Sequence, residues 1–192
     1  AKFEVCVHKF ADLSEFGYGV AILNDSKYGF STRANVMSLT LLKAPKGPDE
    51  HCDIGTHRFR YAVYPHAGTF HESRVVREAH QFNVPLIART RPRATLDALG
   101  VKANIQVRSR GNVILDTVKR AEDSNHLIVR LYEAHGGQGR VQIRFHLPVT
   151  KVQRCNILEE DGGVEVQADA ATGHYPLVLR PFEVASLKLT VG

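Results

Sequence analysis

The run Val141-Gln142-Ile143-Arg144-Phe145-His146-Leu147 gives the chain its dominant period, which is two. Apolar residues fall at every second position, with Gln142, Arg144 and His146 between them. Such alternation puts one set of side chains on a buried face and the other in water, as in a half-buried strand. The pattern recurs at Leu127, Val129 and Leu131. It recurs again at Ala185, Leu187, Leu189 and Val191, set against Ser186, Lys188 and Thr190. Between the strands expected at 127–135 and 140–147 lies Gly136-Gly137-Gln138-Gly139. Glycine enters positive φ without steric cost, so this segment is expected to close a β-hairpin. It is not read as a phosphate cradle, because no helix and no Lys-Ser/Thr follow it.

Toward the N-terminus the same signals continue. Residues 1–8 read as a strand in progress, so the natural N-terminus is expected upstream. Residues 16–23, 27–33, 36–42 and 57–66 are further strand candidates, and Asn24-Asp25-Ser26 supplies turn chemistry between the first two. That triplet is formally an N-glycosylation sequon as well, but a tight turn is the preferred reading. One helix is expected near 70–82, with Thr69 as N-cap and Glu72 reaching back in a capping box. Phe70, Val75, Val76, Ala79 and Phe82 sit at helical spacing, and Asn83 and Pro85 end the segment. From 88 to 104 the pattern dissolves into Arg, Pro, Thr and Gly, which marks a connector. Strands resume at Ile105. The fold expected is mainly β: two β-sandwich units, 1–87 and 105–192, with one short helix.

The chain has 192 residues, enough for one large domain or two small ones, and a net charge of +5. Residues 74–110 carry eight Lys/Arg against two Asp/Glu, whereas the flanking stretches are balanced. This basic block has only Phe82 as an interleaved aromatic and lacks helix-turn-helix or zinc-finger spacing. It reads as a solvated connector, and no nucleic-acid partner is expected. Cys6, Cys52 and Cys155 are odd in number and scattered, which argues against a disulfide framework and suits a reducing compartment. No run of 18 apolar residues is present, so no membrane partner is expected.

The residues that invite a search for chemistry read as structural. His51, Cys52, Asp53 and His57 form the densest candidate metal cluster, but their spacing matches no zinc motif and they follow loop-forming Pro45, Gly47 and Pro48. His66 and His71 flank Gly68 at a strand-to-helix corner, where a histidine bonding backbone is the plainer reading. Cys6 and His8 fall on one strand face, which two ordinary core positions also do. Glu122-Asp123, Glu159-Glu160-Asp161 and Asp49-Glu50 read as solvated turns, not as working acids. An autonomous lectin-like module is the alternative function, and it is disfavoured because the chain has no Trp for a flat sugar-binding platform. No catalytic residue, no metal ligand and no cofactor is assigned to this chain.

Several longer strings carry a resemblance. Residues 11–25 (ADLSEFGYGVAILND) with 27–32 (KYGFST), 41–49 (LLKAPKGPD), 61–68 (YAVYPHAG) and 131–136 (LYEAHG) are similar to glycoside hydrolase family 38, the α-mannosidases, and more narrowly to its cytosolic and fungal-vacuolar branch. The resemblance is weakest at about 88–112. It implies a retaining mechanism between two carboxylates in an N-terminal catalytic domain that holds zinc or a similar divalent ion. It implies that residues 1–87 are the later part of a large sandwich and 105–192 a small terminal sandwich. The family's metal ligands and nucleophile then have no counterparts here. The function implied is that of a non-catalytic C-terminal part of an enzyme that removes terminal α-D-mannosyl residues from oligosaccharides and N-glycans. Its partners are its own N-terminal catalytic domain, mannose-containing oligosaccharides through the parent enzyme, and a further copy in a homo-oligomer. The location implied is cytoplasm or vacuole. Ser26 stands where the family usually has Cys, and Arg33-Ala34 where it has His-Gly. The family often has Arg where this chain has Lys43, and Lys keeps the charge without the bidentate fork. Lys43 and Asp49 are expected on a loop facing the substrate or the catalytic portion. A part severed from neighbouring domains is also expected to expose apolar surface and to self-associate.

Overall fold

The computed structural model describes residues 3–88, 90 and 104–192. The chain divides into two compact units, Ala1–Ala88 and Arg89–Gly192. The basic connector expected at 88–104 lies outside the described residues except for 88, 90 and 104. The described residues are mainly β, with one helix.

In the first unit β1 (Val5–Cys6), β2 (Phe10–Glu15), β3 (Tyr18–Asn24), β4 (Gly29–Arg33), β5 (Val36–Leu39) and β6 (Tyr61–Ala67) precede α1 (Val75–Asn83). They form two antiparallel three-stranded sheets, ordered β2-β3-β6 and β1-β4-β5. Register fixes which side chains share a face. Leu23 opposes Phe10 on one side and Ala62 on the other, and Ala21 opposes Asp12 and Tyr64. That face meets α1, where Val75 and Ala79 are fully buried one helical turn apart. Arg60 fastens the turn after β3 to the helix end. Its Nε donates to Asp25 at 2.8 Å, its Nη2 donates to the Phe82 carbonyl at 3.0 Å, and its guanidinium lies 4.9 Å from the Phe82 ring centroid. Asn24 is fully buried at the end of β3, in keeping with a structural turn there and not a glycan acceptor.

Two expectations for this unit need correction. The helix starts at Val75, not near 70, with Arg74 at its N-cap and no side-chain cap. Half of the capping box forms: Glu72 reaches back to accept from the Thr69 N–H at 2.8 Å, but the Thr69 hydroxyl donates to the same carboxylate at 3.0 Å instead of accepting from the Glu72 N–H. It closes an isolated turn, because Ser73 Oγ then bonds the Phe70 carbonyl and interrupts the path into the helix. Strand β2 has no counterpart among the expected strands, since Asp12 breaks its apolar alternation.

The second unit contains β7 (Ile105–Ser109), β8 (Val113–Arg120), β9 (Leu127–Glu133), β10 (Gly139–Phe145), β11 (Val149–Cys155), β12 (Tyr175–Leu179) and β13 (Val184–Val191). It has one sheet ordered β12-β10-β7 and another ordered β11-β13-β9-β8. Val141, Ile143, Leu177 and Leu179 of the first sheet share one core with Val113, Val129, Leu131, Val152, Ala185, Leu187 and Leu189 of the second, all nearly or fully buried. This is a sandwich whose inner faces supply alternate residues of each strand. Burying a side chain such as Leu187 or Ile143 contributes about 1.5–3 kcal/mol each.

The glycine-rich segment is not a hairpin. β9 pairs with β8 and β13, while β10 pairs with β7 and β12, so residues 134–138 carry the chain from one sheet to the other. The crossing is held by Glu133, 1% exposed. Its carboxylate accepts from the backbone N–H groups of His135 (3.1 Å), Gly136 (2.7 Å) and Phe182 (3.1 Å), and from Asn112 Nδ2 (3.1 Å). Burial pushes the Glu133 carboxyl up, but the donors from Phe182, His135, Gly136 and Asn112 outweigh it and hold the group below the ordinary glutamate value. Gly139 is required by close approach: a Cβ there would lie 2.7 Å from Val113 Cγ2 and 3.2 Å from Glu133 Cγ.

The outer face of the four-stranded sheet is covered by charge pairs. Glu159, expected in a solvated turn, is buried, and its carboxylate meets Lys119 at 2.9 Å, Arg130 at 3.0 Å and the Glu122 N–H at 2.9 Å. The Lys119 bond, followed by the Glu122 N–H, holds its carboxyl below the ordinary value. Lys188 donates to Asp161 at 2.9 Å on the same face.

Two outcomes follow for thermal unfolding. Gly139→Ala is expected to destabilise this unit by about 1–3 kcal/mol through overpacking, while Gly137→Ala, whose nearest neighbour would be 4.0 Å away, leaves it unchanged. Glu133→Gln removes a stabilisation that is fully present above the unfolded glutamate pKa of about 4.3. That contribution is lost as pH falls through the lower folded value. The melting-temperature gap between Glu133→Gln and the parent is therefore expected to be widest near neutral pH and to close below about pH 4; a gap constant from pH 7 to 3 would contradict this assignment.

Candidate functional site

The loop after β5 is organised by its own backbone. Ala44 sits at φ 52°, in the left-handed region that an L-residue seldom occupies. Its N–H donates to Asp53 Oδ2 at 2.8 Å, which brings residues 44 and 53 together. Within that closure the Cys52 thiol donates to the Pro45 carbonyl at 3.7 Å, and His57 Nε2 donates to the Asp53 carbonyl at 2.9 Å. Asp49 Oδ1 accepts from the His51 N–H at 2.9 Å, a short Asx-type turn. The Gly47-Pro48 peptide is cis.

Lys43 and Asp49 therefore share one exposed loop but have different surroundings. Asp49 uses a carboxylate oxygen on the local backbone, whereas Lys43 has no ion-pair partner among the described residues. The loop holds the Lys43 ammonium out as a compact point charge at a fixed root.

The other sequence candidates do not converge. Asp53 is committed to Ala44, His57 to the Asp53 backbone and Cys52 to Pro45. Among the described residues no group of three His, Cys, Asp or Glu is placed to hold a metal ion. The divalent ion implied for the catalytic portion of an α-mannosidase thus finds no donor set here. Cys6 Sγ lies 3.7 Å from His8 Nε2, but Cys6 is exposed on the short edge strand and His8 is exposed in the bend after it, which corrects their reading as core positions of one strand face. The His8 ring packs edge-on against Tyr28, with centroids 4.7 Å apart. His71 is exposed, whereas His66 is buried.

His66 shows a pairing that local sequence reading missed. Its Nδ1 meets the Ala67 carbonyl at 3.4 Å, the kind of backbone contact expected. Its Nε2 also bonds Asp12 Oδ1 at 2.8 Å, with both side chains under a tenth exposed. Gly19, opposite His66 on the neighbouring strand, makes room: a Cβ there would fall 2.4 Å from the ring. Polar residues at alternate positions of 10–15 (Asp12, Ser14) and 61–67 (Tyr64, His66) were the available signal, and the 54-residue separation hid it.

Comparison with known proteins gives this arrangement a context. Residues 112–187 match the family model described as the glycosyl hydrolases family 38 C-terminal beta sandwich domain. Residues 1–51 match the glycosyl hydrolases family 38 C-terminal domain. The chain belongs to glycosyl hydrolase family 38. Family members of the same kind match across the whole chain. The chain is 39% identical to "Alpha-mannosidase" of Saccharomyces cerevisiae over 208 residues, covering 98% of this chain and 19% of that protein. It is 40% identical to "Alpha-mannosidase 2C1" of Homo sapiens, covering 100% of this chain and 18% of that protein. The chain thus spans about a fifth of the length of these relatives and matches their C-terminal domains. The crystal structure of an alpha-mannosidase from Enterococcus faecalis shares the fold, with a TM-score of 0.73 at 20% identity over 97% of this chain and 21% of that one. Among the described residues no helix is long and apolar enough to cross a membrane.

The loop closure gives a direct outcome. Asp53→Ala removes a charged acceptor worth about 1.5–3 kcal/mol. Hydrogen exchange at the Ala44 amide is expected to accelerate at least tenfold, with little change for amides in β3; unchanged exchange at Ala44 would show that Asp53 does not fix the loop.

Proposed function

We propose that this chain serves a retaining α-mannosidase as its non-catalytic C-terminal β-sandwich part. The parent enzyme removes terminal α-D-mannosyl residues during oligosaccharide and N-glycan breakdown, with zinc or a similar divalent ion and two carboxylates in an N-terminal catalytic domain. The observation that carries this reading is the match of 39–40% identity over 98–100% of the chain to α-mannosidases of about five times its length. Residues 1–87 act as the later part of a large sandwich, 88–104 as a connector and 105–192 as the small terminal sandwich. The parent works in the cytoplasm or vacuole.

The first unit supports a scaffold role. On the face of β2-β3-β6 turned away from α1, Tyr61 is 54% and Val63 66% exposed. Beside them, Leu13, Tyr18 and Val20 line a cavity of about 580 Å³ with Ala34 and Met37 of the β4–β5 hairpin. Apolar side chains on a sheet face are normally covered, and the upstream polypeptide is the cover we assign; in its absence a second copy takes its place. The loop bearing Lys43 and Asp49 faces the catalytic portion, where an ammonium stabilises developing negative charge or orients substrate hydroxyls.

The decisive assay uses the polypeptide of the full reading frame on an aryl α-mannoside, beside the 192-residue chain. The full polypeptide is expected to hydrolyse it and to lose activity on chelation. The chain alone is expected to be inert and to give no heat on titration with mannose; a mannose-binding isotherm would favour a lectin-like module instead. Lys43→Ala in the full polypeptide is expected to lower turnover about tenfold, equivalent to about 1.4 kcal/mol of transition-state stabilisation. Unchanged turnover and unchanged melting temperature would remove Lys43 from the site.

A further inference from the structure

The two outer faces of the second unit's sandwich differ in charge. Over the four-stranded sheet, Lys119, Arg130 and Lys188 are each matched to a carboxylate, and Arg154 pairs with Glu183 nearby. The outer face of β12-β10-β7 has no such matching. Register places Arg108 beside Gln142 and Arg144 beside Gln106, with Arg140 beside Val178 on the other edge. Arg110 follows β7 directly. None of Arg108, Arg110, Arg140 and Arg144 has an ion-pair partner among the described residues, and Arg108, Arg140 and Arg144 are exposed. A groove of about 460 Å³ lies between Arg108, Arg110 and Arg140, floored by Gln142, Pro176 and Val178, with Arg144 two residues further along β10.

From this we propose that the outer face of β12-β10-β7 is a docking surface for an acidic polypeptide segment of a protein partner, bound in extended form. Charge complementarity selects an anionic ligand: four guanidinium groups on one face, with no ion-paired carboxylate among the described residues, repel one another until an anion arrives. The guanidinium fork matches a carboxylate through two parallel hydrogen bonds. Spacing favours an extended chain. Side chains two residues apart on a strand are about 7 Å apart, the same interval at which an extended peptide presents alternate side chains to one side. The neighbouring Gln106 and Gln142 offer both an amide donor and a carbonyl acceptor, which suits a peptide backbone and would be half unused on phosphate. No aromatic ring is presented for base stacking: Tyr175 packs against Phe145, with centroids 5.3 Å apart. Pro176 and Val178 give the groove an apolar floor for the aliphatic stems of glutamate side chains.

The test is fluorescence anisotropy with a labelled Glu-Ala alternating decapeptide and, in parallel, a labelled oligothymidine of the same length. The decapeptide is expected to bind the chain and to outcompete the oligothymidine. The paired substitution R108Q/R140Q is expected to weaken it at least tenfold, and R144Q alone about threefold, while K151Q on the opposite sheet leaves it unchanged. All four substituted positions are exposed, so unchanged melting temperatures are expected to accompany the loss. Tighter binding of the oligothymidine would assign the face to nucleic acid and overturn the proposal. Equal loss in K151Q, or no decapeptide binding at millimolar concentration, would overturn it as well. So would a concentration-dependent dimer abolished by R108Q/R140Q, which would seat a second copy on the face. Binding by the chain but not by the polypeptide of the full reading frame would show the face covered within the parent, and this too would overturn the proposal.

Discussion

The second unit depends on one buried carboxylate. Its strands pass between the two sheets several times, and three of those passages lie at one end: β7 to β8, β9 to β10 and β12 to β13. Glu133 takes a hydrogen bond from each of them, through Asn112, through His135 and Gly136, and through Phe182. A connection between sheets cannot satisfy its backbone donors by strand pairing, and buried donors left unpaired cost about 1–3 kcal/mol each. One ionised side chain with two oxygens removes that difficulty for two of the connections and ties in the third through the Asn112 side-chain amide. Gly139 is the geometric counterpart, since the carboxylate stem and Val113 occupy the space a Cβ would need.

The same economy of charge organises the exterior. Glu159 is buried at φ 68°, neutralising Lys119 and Arg130 over the four-stranded sheet. Residues 156–161 lie over that sheet because of these bonds, the Arg130 bond to the Ile157 carbonyl among them. Carboxylates used there are not at hand for the opposite sheet, whose arginines stay exposed. In the first unit the two polar pairs of the β2-β3-β6 sheet are Asp12 with His66 and, at its end, Asp25 with Arg60, and apolar side chains of β6 are left in the open.

What the sequence made legible was whatever is local and periodic. Alternation in 141–147 and 185–191 placed β10 and β13 and named their buried faces. It did not place partners. A glycine-rich segment announces a reversal of direction, yet a hairpin and a crossing between sheets need the same backbone freedom, and only the pairing of β9 with β13 separates them. The capping box at Thr69 was equally local: its Glu72 half forms, but the Thr69 hydroxyl does not cap the chain and Ser73 diverts the backbone before α1 begins. Strand β2 and the burial of Glu159 escaped for one shared reason. Each places a charged residue where period alone forbids it, and the partner that permits it lies 54 residues away for Asp12 and 29 for Arg130 with Glu159. Family-matching strings carried what periodicity could not, because they encode the whole neighbourhood at once.

The 43–53 loop of the first unit is held by its own side chains. In the 43–53 loop Asp49, Cys52 and Asp53 are each occupied by the loop's own backbone, and the left-handed turn at Ala44 is held by Asp53. That closure fixes the backbone from which Lys43 projects, and in the role proposed above a preorganised charge would act on a neighbouring charge without reorganising. A loop free to move would lose that advantage through side-chain and backbone entropy. Asp49, Cys52 and Asp53 therefore share one structural task, which is to hold the backbone at whose start Lys43 stands.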